Sequence, residues 1–215
     1  MYSLYLTVVK ASFGRICKEE IQGIVSVMGA MIFAKKPLSD DVLVMLPGVR
    51  IGDSDIMRLF RKGLTSVIDS GNILHFHHKS FEDYLLSTSF MQEFPELSAV
   101  QDRGYNERQL AVLCLKALVS SELHFNIIKN VDIQATVKST VPLISYSSQF
   151  WADHLVHIPS DKPSDRKLME AVEFIMYEKL LFWIEIMSLM GKAYETSSIL
   201  KKALSWKVCL QVISL

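Results

Sequence analysis

The sequence predicts a mainly α-helical protein, a winged-helix module with a small β-hairpin followed by a helical domain. Three observations predict it. Apolar residues recur at helical spacing, as in Ile21, Ile24, Val25, Met28 and Ile32. A strong turn signal, Asp69-Ser70-Gly71-Asn72, separates two short stretches that can pair as a hairpin. Beyond Pro95 the pattern becomes helical throughout.

Taken in order, residues 1–12 carry Leu4, Tyr5, Val8 and Val9, a short stripe that begins abruptly and reads as the end of an upstream helix. Gly14 breaks it. A helix follows over residues 18–35, in which Gly23 and Gly29 lower the propensity and leave room for close approach. Pro37-Leu38-Ser39-Asp40-Asp41 is a helix start, with Ser39 as N-cap candidate and acids in the first turn. That short helix ends at Pro47-Gly48. Asp53 or Ser54 then caps a third helix with the stripe Ile56, Leu59, Phe60, Gly63, Leu64 and Val67. Residues 73–77 alternate as a strand does, and a helix resumes at Ser80. Three helices, a hairpin and a resumed helix form the winged-helix order, placed at residues 13–92.

The helical domain spans residues 93–215. Leu110, Leu113, Cys114, Ala117 and Leu118 form a stripe, and Val141-Pro142 breaks the chain. A short segment, residues 146–155, contains Trp151 and His154. Residues 159–165 are the best loop candidate. Residues 168–190 read as one helix, apolar nearly all round and buried on several sides or needing a partner. Gly191 ends it, and one more helix covers residues 197–206.

Composition bounds the function. The 23 basic residues balance 23 acidic ones, which argues against nucleic-acid binding by general electrostatics. Cys17, Cys114 and Cys209 lie in apolar helical patterns and read as buried free thiols in a reducing compartment. The longest near-apolar run, residues 21–34, falls short of the roughly 18 residues expected of a membrane span. No secretory signal opens the chain. A soluble, cytoplasmic protein is expected. None of the nine glycines lies in a GxxxxGK[ST] frame, and GxGxxG, GxSxG, HExxH and paired CxxC are absent. The expectation is therefore no enzyme, no catalytic residue and no cofactor held by this chain alone.

The informative segment is His75-Phe76-His77-His78-Lys79-Ser80-Phe81-Glu82-Asp83-Tyr84-Leu85. His75 and His77 share a strand face, but closed zinc sites need four ligands and no cysteine is near, so no metal is assigned. His78 lies where a strand meets a helix N-terminus, among unpaired backbone N–H groups suited to a phosphate. Ser80-Phe81-Glu82-Asp83 resembles a capping box with Asp83 in place of the preferred Glu. Phe81, Tyr84 and Leu85 share one face and read as core.

The string His78-Lys79-Ser80-Phe81-Glu82-Asp83-Tyr84-Leu85 resembles the H-x-S-F-x-D-F-L pattern of the winged-helix region that follows the NACHT domain in fungal STAND NTPases, relatives of the NLR receptors. Tyr84 replaces Phe. Leu4-Tyr5 with Ala11-Ser12-Phe13-Gly14, the Trp151-Ala152-Asp153-His154-Leu155 block and the stretch from Tyr177 to Glu185 are similar to further blocks of that family. The resemblance implies a non-catalytic regulatory module that holds a nucleotide-dependent switch at rest, in fungal non-self recognition or cell-death signalling. It implies that His78 corresponds to the histidine contacting the β-phosphate of ADP, with Ser80, Phe81, Asp83, Tyr84, Leu85, Trp151 and His154 as structural motif positions. ADP or ATP with Mg²⁺ enters only through an upstream NACHT domain, the implied partner in cis or in trans, with homo-oligomers as the assembled state. No membrane or nucleic-acid partner is implied.

Two rival readings come from the residues. One is a helical interaction adaptor that docks a partner on residues 168–190 without any nucleotide; such a face, exposed, would make the lone chain self-associate. The other is a DNA-binding winged helix, for which the third helix offers Arg58, Arg61 and Lys62. Three such charges on a neutral chain are ordinarily a solvated face.

Overall fold

The apolar stripes settle into two units, Met1–Gln109 and Leu110–Leu215. The computed structural model describes residues 2–14, 17–51, 54–69, 71, 73–120, 142–159 and 166–213. Helices dominate, with two small antiparallel sheets of two-residue strands among the described residues. The sequence boundary at residues 92 and 93 differs from this division, which falls inside a helix.

In the first unit, α1 (Tyr2–Phe13) buries Val9 and Phe13. Phe13 packs on Phe60, ring centroids 5.6 Å apart, and the Ser12 hydroxyl donates to the Gly63 carbonyl at 2.7 Å. The helix is thus an integral part of this unit. In α2 (Lys18–Phe33), residues 23–30 are all buried, so the single stripe of the sequence reading becomes a helix enclosed on every side. Both interior glycines are needed for that. A Cβ on Gly23 would lie 2.3 Å from the Gly48 carbonyl oxygen, and one on Gly29 would lie 1.8 Å from Asn106 Oδ1.

Helix α3 (Asp40–Leu43) starts at Ser39, which is extended at φ −72°, ψ 160°, but whose side chain makes no capping bond. Its backbone carbonyl takes over, accepting from Val42 and Leu43. Strands β1 (Arg50–Ile51) and β2 (Ser54–Asp55) pair antiparallel, Arg50 opposite Asp55 and Ile51 opposite Ser54. Ser54 is therefore a strand residue and not the cap of α4 (Ile56–Gly63); the hairpin uses the two residues before the helix. Asp53 lies outside the described residues.

Strands β3 (Ile68–Asp69) and β4 (His75–Phe76) form the second hairpin, Ile68 opposite Phe76 and Asp69 opposite His75. An isolated antiparallel bridge joins Ser39 to Ile73, tying the chain between α2 and α3 to this hairpin. Helices α5 (Lys79–Leu85) and α6 (Thr88–Glu93) follow, the latter capped by Ser87, whose hydroxyl accepts from the Phe90 amide at 3.3 Å. A 3₁₀ turn, Pro95–Val100, leads to α7 (Arg103–Ser120). Asn106 anchors this passage: its side-chain amide donates to the carbonyls of Ala99, Val100 and Asp102 at 2.8, 3.1 and 2.8 Å.

In the second unit the end of α7 buries Leu110, Leu113, Cys114, Ala117 and Leu118. Helix α8 (Pro142–Leu155) begins on its proline, the position where a missing N–H costs least. The long helix expected over residues 168–190 is two helices, α9 (Arg166–Tyr177) and α10 (Leu180–Leu189). The amides of Glu178 and Lys179 both turn to the Phe174 carbonyl, at 2.8 and 3.3 Å, and Lys179 leaves the helical region at φ −116°, ψ 5°. Gly191, at φ +69°, ends α10 in the left-handed conformation that glycine adopts freely. The last helix, α11 (Thr196–Ile213), packs on α8 and extends beyond the expected residue 206. Of the loop at 159–165, only Pro159 lies among the described residues.

The cysteines differ from the expectation in one case. Cys17 is exposed, because it sits at the N-terminal end of α2 rather than on its inner face. Cys114 is buried, and burial pushes its thiol up to about 12, with the Ser147 hydroxyl acting in the opposite direction. The Cys209 side chain lies outside the described residues.

Candidate functional site

The hairpin β3–β4 delivers His78 to the first turn of α5. Its backbone is extended at φ −145°, ψ 139°, and its ring is the N-cap of the helix: Nδ1 accepts from the Ser80 amide at 3.1 Å. This corrects the capping-box reading, in which Ser80 was the cap. The cap lies two residues earlier because His78 leaves the strand and Ser80 is already helical. An amide N–H can only donate, so Nδ1 is the acceptor and the neutral ring carries its proton on Nε2. The Ser80 hydroxyl lies 2.7 Å from the same Nδ1 and also hydrogen-bonds the Tyr5 hydroxyl on α1. His78 is exposed. The arrangement thus holds the ring by one nitrogen and leaves the other as a donor.

Behind His78 lies an aromatic cluster. Phe81 meets Tyr5 and Phe76 edge-on, centroids 5.2 and 5.6 Å apart, and Tyr84 meets Phe90 edge-on at 5.7 Å. Phe81, Tyr84 and Leu85 are buried, while Asp83 is exposed. His75 faces Asp69, Nε2 to Oδ2 at 3.6 Å, and the His77 amide donates to the Val67 carbonyl at 2.9 Å. Among the described residues no group of three or more His, Cys, Asp or Glu could hold a metal ion.

Tyr84, the position at which the string departs from H-x-S-F-x-D-F-L, carries a cost. Its hydroxyl is buried with no hydrogen-bond partner among the described residues. Burial, and then the Glu93 carboxylate, raise its pKa. Tyr84→Phe is expected to stabilise the protein by about 1 kcal/mol, because it removes an unsatisfied buried group and keeps the ring. Urea denaturation measures it; a variant that loses 1 kcal/mol or more would mean that the hydroxyl has a partner.

Trp151 and His154 are far from any surface role. Both are fully buried in the second unit. Trp151 meets Trp183 edge-on, centroids 6.1 Å apart at 89°, and His154 Nε2 hydrogen-bonds the Tyr146 hydroxyl at 2.8 Å. The Trp183 indole donates to the Ser148 carbonyl at 2.9 Å. This Trp-x-x-His block is core architecture.

Two contacts escaped the sequence reading. Tyr5 reaches Ser80 across 75 residues of the chain, and no local pattern announces such a pair. Arg61, which the DNA-binding reading placed on a free polar face, directs its guanidinium at Asp40, with Nε 3.0 Å from Oδ2. Asp40 was visible only as a first-turn acid of α3.

No helix among the described residues is long and apolar enough to cross a membrane. Comparison with known protein families, with curated proteins and with solved structures found no match.

Proposed function

We propose that this chain is a non-catalytic regulatory module of a NACHT-type STAND signalling NTPase, its first unit a winged helix that holds the nucleotide-dependent switch at rest. The single observation that carries the reading is the junction at His78. A hairpin ends there, a helix starts there, and one imidazole nitrogen is used as the cap while the ring's other nitrogen, on an exposed residue, is left as its donor. A donor fixed in this way can meet a phosphate oxygen without reorganising the helix. The element order gives secondary support. The described order runs α2, the Ser39 bridge to Ile73, α3, the β1–β2 pair, α4 and the β3–β4 hairpin, an order compatible with a winged helix.

The test uses a protein in which a NACHT core is joined to this segment; reading the native transcript upstream of Met1 for a GxxxxGK[ST] frame identifies it. His78→Ala should lower the ADP that co-purifies and raise the assembled fraction, because the resting state loses its ligand contact. His75→Ala should change both less. Unchanged ADP and unchanged assembly in His78→Ala would remove this histidine from the switch.

The adaptor reading draws on a different place. Tyr177 and Leu181, at 77% and 63% exposure, flank the break between α9 and α10. The DNA-binding reading loses ground, since Arg61 is engaged by Asp40.

A further inference from the structure

Ser80 sits between two side chains, His78 and Tyr5, and the protons available to the three fix the direction of both bonds. His78 Nδ1 accepts from the Ser80 amide at 3.1 Å, so it carries no proton. A bare ring nitrogen can only accept, which makes the Ser80 hydroxyl the donor in its own 2.7 Å contact with Nδ1. A hydroxyl has a single proton. With that proton directed at Nδ1, Ser80 Oγ must accept in its bond to Tyr5, and the Tyr5 hydroxyl donates. The chain therefore runs one way, from Tyr5 O–H to Ser80 O–H to His78 Nδ1, with the ring proton on Nε2. Bonds aligned head to tail polarise and strengthen one another.

Packing places Tyr5 at the start of this chain. Its half-buried ring lies against Phe81 and Tyr84, centroids 5.2 and 5.8 Å away, and Ser12 and Phe13 tie the other end of α1 to α4. Without the Tyr5 hydroxyl, Ser80 Oγ would be free to turn its proton away and accept from an Nδ1–H. In that other tautomer Nε2 is an acceptor, which repels a phosphate oxygen instead of binding it.

We propose that Tyr5 is a positioning residue for His78. By donating to Ser80 it keeps the Ser80 hydroxyl a donor to Nδ1, and so keeps the ring in the Nε2–H tautomer. The use of that tautomer for a phosphate rests on the switch reading above; the tautomer itself does not. A ligand oxygen that accepts from Nε2–H makes Nδ1 a better acceptor, so the occupied site and the Tyr5–Ser80 bond strengthen each other.

Nitrogen-15 shifts of the imidazole, recorded on the intact chain at about pH 8.5 where imidazoles are neutral, read the tautomer ratio, and His78→Ala identifies the resonances by their loss. The Nε2–H form should exceed its share in the urea-unfolded chain. Tyr5→Phe, which keeps the ring packing, should lower the ratio of Nε2–H to Nδ1–H about fivefold, the scale of one neutral hydrogen bond. Tyr84→Phe should leave it unchanged, because that hydroxyl belongs to the same aromatic cluster but has no partner among the described residues. Ser80→Ala should lower the ratio too, and Tyr5→Phe should add nothing in that background, since Tyr5 acts through Ser80. A folded ratio no higher than the unfolded one, a ratio unmoved by Tyr5→Phe, an equal fall in Tyr84→Phe, or a further fall when Tyr5→Phe is added to Ser80→Ala would each overturn the proposal. None of these measurements involves a nucleotide. Retained ADP in His78→Ala of the NACHT-joined protein would instead end the switch reading and leave the role of Tyr5 standing.

Discussion

Gly29→Ala should destabilise the first unit by about 2–5 kcal/mol, combining overpacking with hydrogen bonds forced apart. Propensity alone says the opposite, since alanine in a helix interior is favoured over glycine by about 1 kcal/mol. The close approach decides the sign. The new Cβ would lie 1.8 Å from Asn106 Oδ1 and 2.5 Å from its Cγ. Asn106 cannot swing aside cheaply, because its amide is held by three carbonyls, those of Ala99, Val100 and Asp102. Displacing it strands those acceptors and loosens the entry to α7. Urea denaturation followed by circular dichroism gives the cost, and a double-mutant cycle gives its cause. In an Asn106→Ala background the two closest atoms are gone and only Cβ, at 3.2 Å, remains, so Gly29→Ala should then cost far less. An equal cost in both backgrounds would mean that the clash is not the mechanism.

This pair also marks how far the sequence could be read. The glycines of α2 were recognisable as sites of close approach, since nothing else explains two of them inside an apolar helix. Their partners were not, because Gly48 and Asn106 are distant in the chain and carry no local mark of the contact. The helical character of the second unit was legible from its stripes, and the burial of Phe81, Tyr84 and Leu85 follows from their spacing. The strands are only two residues long, too short for alternation to set their limits, so Ser54 looked like a cap when it was a strand residue. His78 as an N-cap was hidden for another reason. Ser, Thr, Asp and Asn are the usual caps, and Ser80 was a plausible one two residues on.

The break at Glu178 and Lys179 had a quieter signal. Leu168, Val172 and Ile175 on α9 and Phe182 and Ile186 on α10 are buried, and they continue one stripe at helical spacing. The member that falls between them is Lys179. A lysine at a core position of an otherwise apolar run is where the chain leaves the helix, and no glycine or proline was needed to mark it.

That break sets the second large effect. Trp183→Ala should destabilise the second unit by about 3–5 kcal/mol, the range for deleting a large buried aromatic. After Lys179 the new helix α10 directs Phe182, Trp183, Ile186 and Met187 inward and leaves Leu181 at the surface. Trp183 is fully buried, meets Trp151 edge-on and donates its indole N–H to the Ser148 carbonyl on α8. Most of its contribution is volume. Trp183→Phe keeps an aromatic ring against Trp151 and gives up one neutral hydrogen bond of about 1 kcal/mol, while the Ser148 carbonyl keeps the in-helix donor that an interior helical carbonyl has. The phenylalanine variant should therefore recover much of the loss. Leu181→Ala, two residues away on the exposed side, should stay within about 0.5 kcal/mol of the parent. The order of the three variants tests the placement of α10 directly. If Leu181→Ala cost as much as Trp183→Ala, the helix would be rotated from the arrangement described, and the inward face would have to be assigned to Leu181 instead.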